Sequence, residues 1–498
     1  MTNHQDKLNS YLRSLSLDSS SKAKKHGNHL SSVGFDKETP KVVTDSSKLK
    51  PKKASPKPKL NSLKRLKKKT HTVHDLPTEV LVNIFKLLTP HDLMTCSCVC
   101  QRWMELAGDD LLWQPLYKRF KLPQPGRPDS VYTIHAGIKW KAAFIERCIQ
   151  RRNVRLKNLL KKKDPYTTLP ANIDMMLKNF GVEWNLVFID QNDTEHVYAH
   201  SDVFKFNTSV TIRWYSLEFL SLDNIQTIGF TAKAPILFEK DGLPVPGCPQ
   251  KSSLLLRFPW TGKQDKVTAV EDETLKLHII HPGVVIATWK DGGDIAFVSV
   301  CLHKFTLMER ILFGHQTRIY QHNHNKPAAD DVDNRYGLHD FQCNVELRQQ
   351  RALCWTERFT GLHCSKEVIK DGVVRLNLIK TEKEQEHSHL NKKLCLPWKT
   401  DVFKGVFPNI CILDMTLFDE FMEPFWCVSH PVQVRKEDSS QVSMLYHGDQ
   451  FNIEYSDEIG QIDCQVVRDE DQGRDLITNL SLSIKMEAIN SWFSTSYS

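Results

Sequence analysis

Nowhere in the 498 residues does an apolar run approach the roughly 18 consecutive residues that a membrane-spanning helix needs. The nearest stretch, Ile279–Trp289, is broken by Pro282 and Gly283, so no transmembrane helix is expected. The first twenty residues are polar and lack an apolar core, and no secretory signal is expected there. Catalytic signatures are missing too. Phe230–Phe258 holds no Gly-x-Ser-x-Gly elbow, and no glycine-rich phosphate loop occurs. Gly292-Gly293 fits a hairpin turn without a ligand. Cys96, Cys98 and Cys100 are spaced in steps of two, which does not converge on one tetrahedral ion. His322/His324, His387/His389 and His363-Cys364 lack matching second pairs. No catalytic residue, metal site or cofactor is expected, and no repeat of fixed period is found. Thirteen cysteines, an odd number with no secretory signal, fit reduced thiols, so the expected location is cytoplasmic and/or nuclear.

What is present is an ordinary globular composition, 40% hydrophobic and 25% charged, long enough for two to four domains. The net charge of +8 is unevenly spread. Residues 1–70 hold 18 Lys/Arg against 5 Asp/Glu, a charge of +13, which leaves 49 basic and 54 acidic residues, or −5, for the remainder. A basic tail on a mildly acidic body follows. Residues 1–72 are rich in Ser, Lys and Pro and nearly devoid of aromatics, so they cannot bury enough surface to offset ordering entropy, and a disordered tail is expected. The runs Lys50–Lys59 and Lys64–Lys69 fit a nuclear localisation signal or a weak nucleic-acid contact on one side and a plain solvated tail on the other.

The reading of the remainder is an α+β chain. Residues 73–120 carry short helices, 121–165 a linker helix, and 166–498 a large antiparallel β-rich domain, sandwich- or barrel-like. Residues 134–163 read as one long helix with an apolar stripe of Trp140, Ala143, Phe144, Cys148 and Ile149. Its basic end, Arg151, Arg152, Arg155, Lys157 and Lys161–Lys163, reads as a solvated face suited to the C-terminal dipole. Ile173–Phe180 reads as a further helix stopped by Gly181. Strand runs follow at Thr208–Trp214, Val284–Trp289, Ile295–Val300, Phe341–Leu347, Leu353–Phe359, Val373–Ile379 and Ile410–Leu417. Others are Phe425–Val428, Phe451–Tyr455, Ile462–Val467 and Leu476–Ile484, before a last helix at Met486–Phe493. Trp260, Trp289, Trp355, Trp398 and Trp426 are candidate anchors for a partner, although a tryptophan on a strand is more often core.

Residues 75–120 carry the functional signal. Pro77 sits where a helix begins, because its missing N–H is not needed there. Val80, Leu81, Ile84, Phe85 and Leu88 then cover more than one side of that helix. Thr89 is a good N-cap ahead of Pro90 and Asp92, and Val99, Trp103 and Leu106 make a third apolar face. So small a unit has too many large apolar groups to satisfy alone, and should complete its core against another protein.

Five motifs occur here in order: Leu76-Pro77-Thr78-Glu79, Ile84-Phe85-Lys86-Leu87-Leu88, Asp92-Leu93, Val99-Cys100-Gln101-Arg102-Trp103 and Leu112-Trp113. In this the segment resembles the F-box family. The resemblance implies binding to a Skp-type adaptor, which hangs the chain from a cullin–RING scaffold. It further implies a non-catalytic subunit of an SCF-type ubiquitin ligase that recruits an unknown protein substrate. Carried over, the adaptor contacts are Leu76, Pro77, Val80, Ile84, Phe85, Leu88, Leu93, Val99 and Trp103, with Trp113 bracing the segment against the next helix. The competing reading is a nuclear, nucleic-acid-associated protein acting through its basic tail. The acidic body offers it no binding motif, and neither nucleic acid nor membrane is an expected partner.

Overall fold

A computed structural model describes residues 73, 76–120, 139–216, 218–239, 243–260, 267–321, 333–366, 369, 371–437, 446, 448–469 and 473–497. The basic tail and residues 121–138 of the linker lie outside the described residues. Four short helices come first: α1 (Thr78–Phe85), α2 (Pro90–Cys96), α3 (Gln101–Ala107) and α4 (Asp110–Arg119). The long linker helix α5 (Trp140–Leu160) and the short α6 (Ile173–Asn179) follow. α6 ends at Phe180 and Gly181, the glycine at φ +53°, as the stop signal requires.

The β region is built in two halves. The first holds β1 (Glu183–Asp190), β2 (Glu195–Ala199), β3 (Asp202–Lys205), β4 (Ser209–Trp214) and β5 (Ile225–Pro235). It continues with β6 (Gln250–Pro259), β7 (Val267–Glu271), β8 (Leu275–Ile280), β9 (Val284–Trp289), β10 (Ile295–His303) and helix α7 (Lys304–Phe313). The strands form a sheet of order β2-β1-β5-β6 and one of order β3-β4-β10-β9-β8-β7. The second half holds β11 (Phe341–Arg348), β12 (Leu353–Leu362), β13 (Val373–Ile379), β14 (Ser388–His389), β15 (Leu396–Lys399) and β16 (Lys404–Phe407). It finishes with β17 (Ile410–Phe418), β18 (Pro424–Lys436), β19 (Gln450–Ser456), β20 (Gly460–Asp469), β21 (Arg474–Lys485) and helix α8 (Met486–Phe493). Here β12-β11-β17-β18-β19-β20-β21-β13 make one sheet whose end strands return beside each other, a nearly closed barrel. The strand pairs among the described residues are antiparallel, and the Asp291–Asp294 turn joins β9 to β10 with Gly293 at φ +71°.

Each half has its own core. In the first, Phe188, Ile212, Trp214 and Phe230 pack with Met308 and Ile311 of α7 and with Leu156 of α5. In the second, Phe341, Met415, Trp426 and Leu482 pack with Ile489 and Phe493 of α8. Of the candidate tryptophan anchors, Trp355, Trp398 and Trp426 are buried, and Trp260 and Trp289 are half-buried.

β11 shows how the halves are joined. Phe341, Cys343, Val345 and Leu347 point into the second core. By strand alternation Gln342, Asn344, Glu346 and Arg348 share the other face, toward the first half. Arg348, wholly buried, pairs with Asp414 and donates to Ser209 Oγ and Thr211 Oγ1, both at 3.0 Å. His303 Nε2 lies 2.8 Å from Thr416 Oγ1 in the same seam. Burial holds the His303 imidazole neutral, its pKa pushed down to about 4.

A pH dependence follows from His303. The unfolded histidine takes up its proton near pH 6.5, whereas the folded one resists until about pH 4. Its contribution is therefore whole above pH 6.5 and is lost as pH falls toward 4, by up to ~1.4 kcal/mol per pH unit. Urea unfolding at pH 7 and pH 5 should show His303 accounting for a loss on the order of 2 kcal/mol, a difference that His303→Gln removes.

Candidate partner-docking surface

Local chemistry explains how α1 to α4 are held. Pro77 is the N-cap of α1, and its carbonyl accepts from Val80 N at 3.1 Å and Leu81 N at 3.2 Å. Thr89 caps α2 in a reciprocal box: Asp92 N donates to Thr89 Oγ1 at 3.2 Å, and Thr89 N to Asp92 Oδ2 at 3.4 Å. The Thr89 hydroxyl, at 2.7 Å, holds the Asp92 carboxyl below its usual range. Arg102 Nη2 donates to Leu76 O at 2.7 Å, which ties the start of α3 to the start of α1.

The core of this unit is Phe85, Leu93, Met94, Ala107, Leu112 and Trp113, closed by Phe144 and Cys148 of the linker helix. The Phe85 ring meets Trp103 edge-on at 5.4 Å, and Trp113 meets Phe144 at 5.3 Å. Trp113 Nε1 donates to Ala107 O at 2.6 Å, so this residue braces the unit against α5 as expected. Part of the surplus apolar surface is thus satisfied inside the chain. Trp113→Ala should cost about 3–5 kcal/mol in chemical denaturation, because it opens a large cavity and strands a carbonyl.

Two expected adaptor contacts need correcting on this geometry. Phe85 is 2% exposed and Leu93 is 1% exposed, so both face the unit's own core and offer a partner no surface. Leu88 and Trp103 are half-buried against that core, and Leu76 is also half-buried. Pro77, Val80, Ile84 and Val99 lie outside. The structure adds Leu87, Met104 and Leu111, which sequence reasoning left out. Val80, Ile84 and Leu87 follow one another at i, i+4 and i+7, a single stripe along α1 and the turn after it. Leu87, at 87% exposed, is the barest large apolar side chain of the stripe. Its spacing from Val80 was the available signal.

The linker helix also departs from expectation. Arg152 is not on a solvated face: it is 4% exposed, and Nη1 donates to Pro235 O at 3.2 Å. Its Nη2 donates to Leu312 O at 2.5 Å, and burial draws the guanidinium pKa down to about 10. Arg155 Nη1 reaches Glu239 O at 3.0 Å, and Leu237 packs on the core of the small helical unit. Buried carbonyls at strand and helix ends thus find their donors on α5, which fixes the helical unit to the β region.

For a metal, the described residues offer one group, Asp333, His339 and Glu420, whose ligand atoms lie within 4.8 Å of one another. His339 Nε2 is 2.5 Å from Asp333 and Nδ1 is 3.0 Å from Asp340. Burial works to lower the His339 pKa, but these bonds outweigh it and the net shift is upward. The arrangement is that of an ion-pair cluster. The thirteen cysteines are all free, and Cys148 is buried with its thiol pushed up to about 12.

Comparison with known proteins agrees with this geometry. The family model described as F-box-like matches residues 73–119, the four-helix unit itself. F-box only protein 15 of Homo sapiens is 29% identical over 435 residues, covering 85% of each chain. The Mus musculus protein of that name is 26% identical over 438 residues, 84% of this chain and 99% of its own length. An F-box/WD repeat-containing protein, pof10, of Schizosaccharomyces pombe matches only 46 residues, at 41% identity, 9% of this chain and 7% of its own. Its likeness stops with the short segment, whereas that to F-box only protein 15 runs on through the β region. The four helices are an F-box-like domain, and over most of its length the chain is similar to F-box only protein 15.

Proposed function

We propose that this chain is the substrate-recognition subunit of an SCF-type ubiquitin ligase, acting in the cytoplasm and/or nucleus. The F-box docks a Skp-type adaptor, and through it a cullin–RING scaffold. The β-rich region holds the protein to be modified. The chain itself makes and breaks no bonds: it raises the local concentration of substrate beside a ubiquitin-charged enzyme.

The observation that carries this reading is the apolar stripe Val80, Ile84 and Leu87, with Val99 nearby in sequence order, left outside a folded F-box. Fully burying one such side chain is worth roughly 1.5–3 kcal/mol, so three or four of them supply a useful fraction of a stable interface. The Arg152 clamp supports the second half of the reading. A receptor works best when the recruited protein is held at a fixed distance from the enzyme, and α5 is bonded at both ends.

Affinity purification from cells tests the proposal, comparing the wild type with Ile84→Asp/Leu87→Asp. Adaptor and cullin should vanish from the variant, while proteins held by the β region remain and accumulate. Equal recovery of the adaptor from both would refute the assignment of the surface.

A further inference from the structure

A cleft of about 550 Å³ lies where the turn after α5, helix α6 and the polar face of β11 meet. Its charged lining is Asp164, Asp174, Glu346 and Glu357 against Lys304 and Arg358, four carboxylates to two cations. Both cations are already engaged. Lys304 Nζ donates to Asp174 Oδ2 at 2.8 Å, to Asn207 O at 3.1 Å and to Phe206 O. Arg358 donates to Pro165 O at 3.2 Å and Gln342 Oε1 at 2.9 Å.

Glu346 is the residue with the least compensation: the nearby cation, Arg348, is already paired with Asp414. It is 5% exposed, its Oε1 accepts from Asn207 Nδ2 at 2.9 Å, and its Oε2 accepts from Thr208 Oγ1 at 3.3 Å. Among the described residues no lysine, arginine or histidine nitrogen lies within 4 Å of it. Neutral donors satisfy part of a carboxylate's hydrogen bonding but not its charge, and a buried charge is costly until it is paired. Two residues earlier on the same face, Asn344 Oδ1 is buried with no donor. Both unmet needs are for N–H groups, and one of them is for positive charge.

We infer that this cleft takes a cationic side chain, the guanidinium or ammonium of an arginine or lysine on a partner protein, with Glu346 as its counter-ion. Arginine suits the site better, because its planar fork can serve two acceptors at once. That the partner is a protein handed on for ubiquitination rests on the receptor reading above. The charge preference of the cleft does not, since it is measured on the chain alone, with no adaptor present.

The probe is N-acetyl-arginine amide, titrated calorimetrically into the purified full chain, with the neutral isostere N-acetyl-citrulline amide alongside. Saturable binding on the order of 1 mM is expected for the arginine probe. It should weaken at least tenfold for citrulline and tenfold for Glu346→Gln. Should Glu346→Gln not fold, hydrogen exchange on the wild type reads the same point: the arginine probe should protect Asp164–Ile173. Non-saturable binding, equal binding of citrulline, an unchanged Glu346→Gln, or protection confined to other segments would each overturn the inference.

Discussion

Ile84→Asp is expected to abolish adaptor binding while leaving the fold intact. Ile84 is 43% exposed and faces away from the F-box core, whereas its neighbour Phe85 is 2% exposed and forms part of it. An aspartate at 84 stays in water when the chain is alone, so the melting temperature should hold within about 2 °C. Bound, it would sit desolvated and unpaired in the middle of an apolar interface. Losses at such central positions are on the order of 2–4 kcal/mol or more, which is roughly thirty- to thousandfold in affinity. Phe85→Ala is the mirror experiment. It should cost about 3–5 kcal/mol of stability through cavity formation, and weaken the adaptor only as far as the F-box unfolds. Surface plasmon resonance with calorimetric melting on both variants separates the roles of adjacent residues on one helix.

Asp414→Ala is expected to be the most destabilising single change in the β region. Asp414 and Arg348 are both wholly buried, and the Asp414 carboxylate also accepts from Ser209 Oγ at 2.5 Å and Ser429 Oγ at 2.6 Å. The Arg348 guanidinium lies 3.9 Å from the centre of the Phe206 ring, so it cannot turn to water. Removing its counter-ion strands a cation between the two halves, at a cost of about 3–5 kcal/mol and a melting shift on the order of 5 °C. The double variant Arg348→Met/Asp414→Leu should recover most of that loss, because an apolar pair of similar volume is often no worse than a buried ion pair. If the double variant is as unstable as the single one, the cost lies in packing and not in charge.

The sequence was most legible where a local rule acts alone. Thr89 and Asp92 mark a helix start by capping chemistry and Pro77 by its missing N–H, and the structure has all three at helix starts. Gly181 and Gly293 take the positive φ that ends a helix or turns a hairpin. α8 and β13 fall on the residues expected. Tertiary context hid the remainder. α1 is apolar on more than one side, and periodicity alone does not say which stripe the rest of the chain covers. Phe85 and Leu93 were therefore read as contacts when they are core. Arg152 looked like one more cation in a basic run. It lies at i+8 from Phe144 and i+4 from Cys148, with Leu156 next, so it continues the buried stripe. α7 was missed because it leaves β10 without a Gly, Pro or Ser: His303 itself caps it, Nδ1 accepting from Phe305 N at 3.3 Å. The acidic cleft could not be read at all, since Asp164, Asp174, Lys304 and Glu346 are brought together only by the packing of the two halves.

Hydrogen exchange on the full chain with and without a purified Skp-type adaptor tests the central claim most directly. Slowed exchange should appear in Thr78–Leu88 and across Val99–Met104, with the β strands unchanged. An adaptor that binds without protecting those two segments, or that does not bind at all, would contradict it.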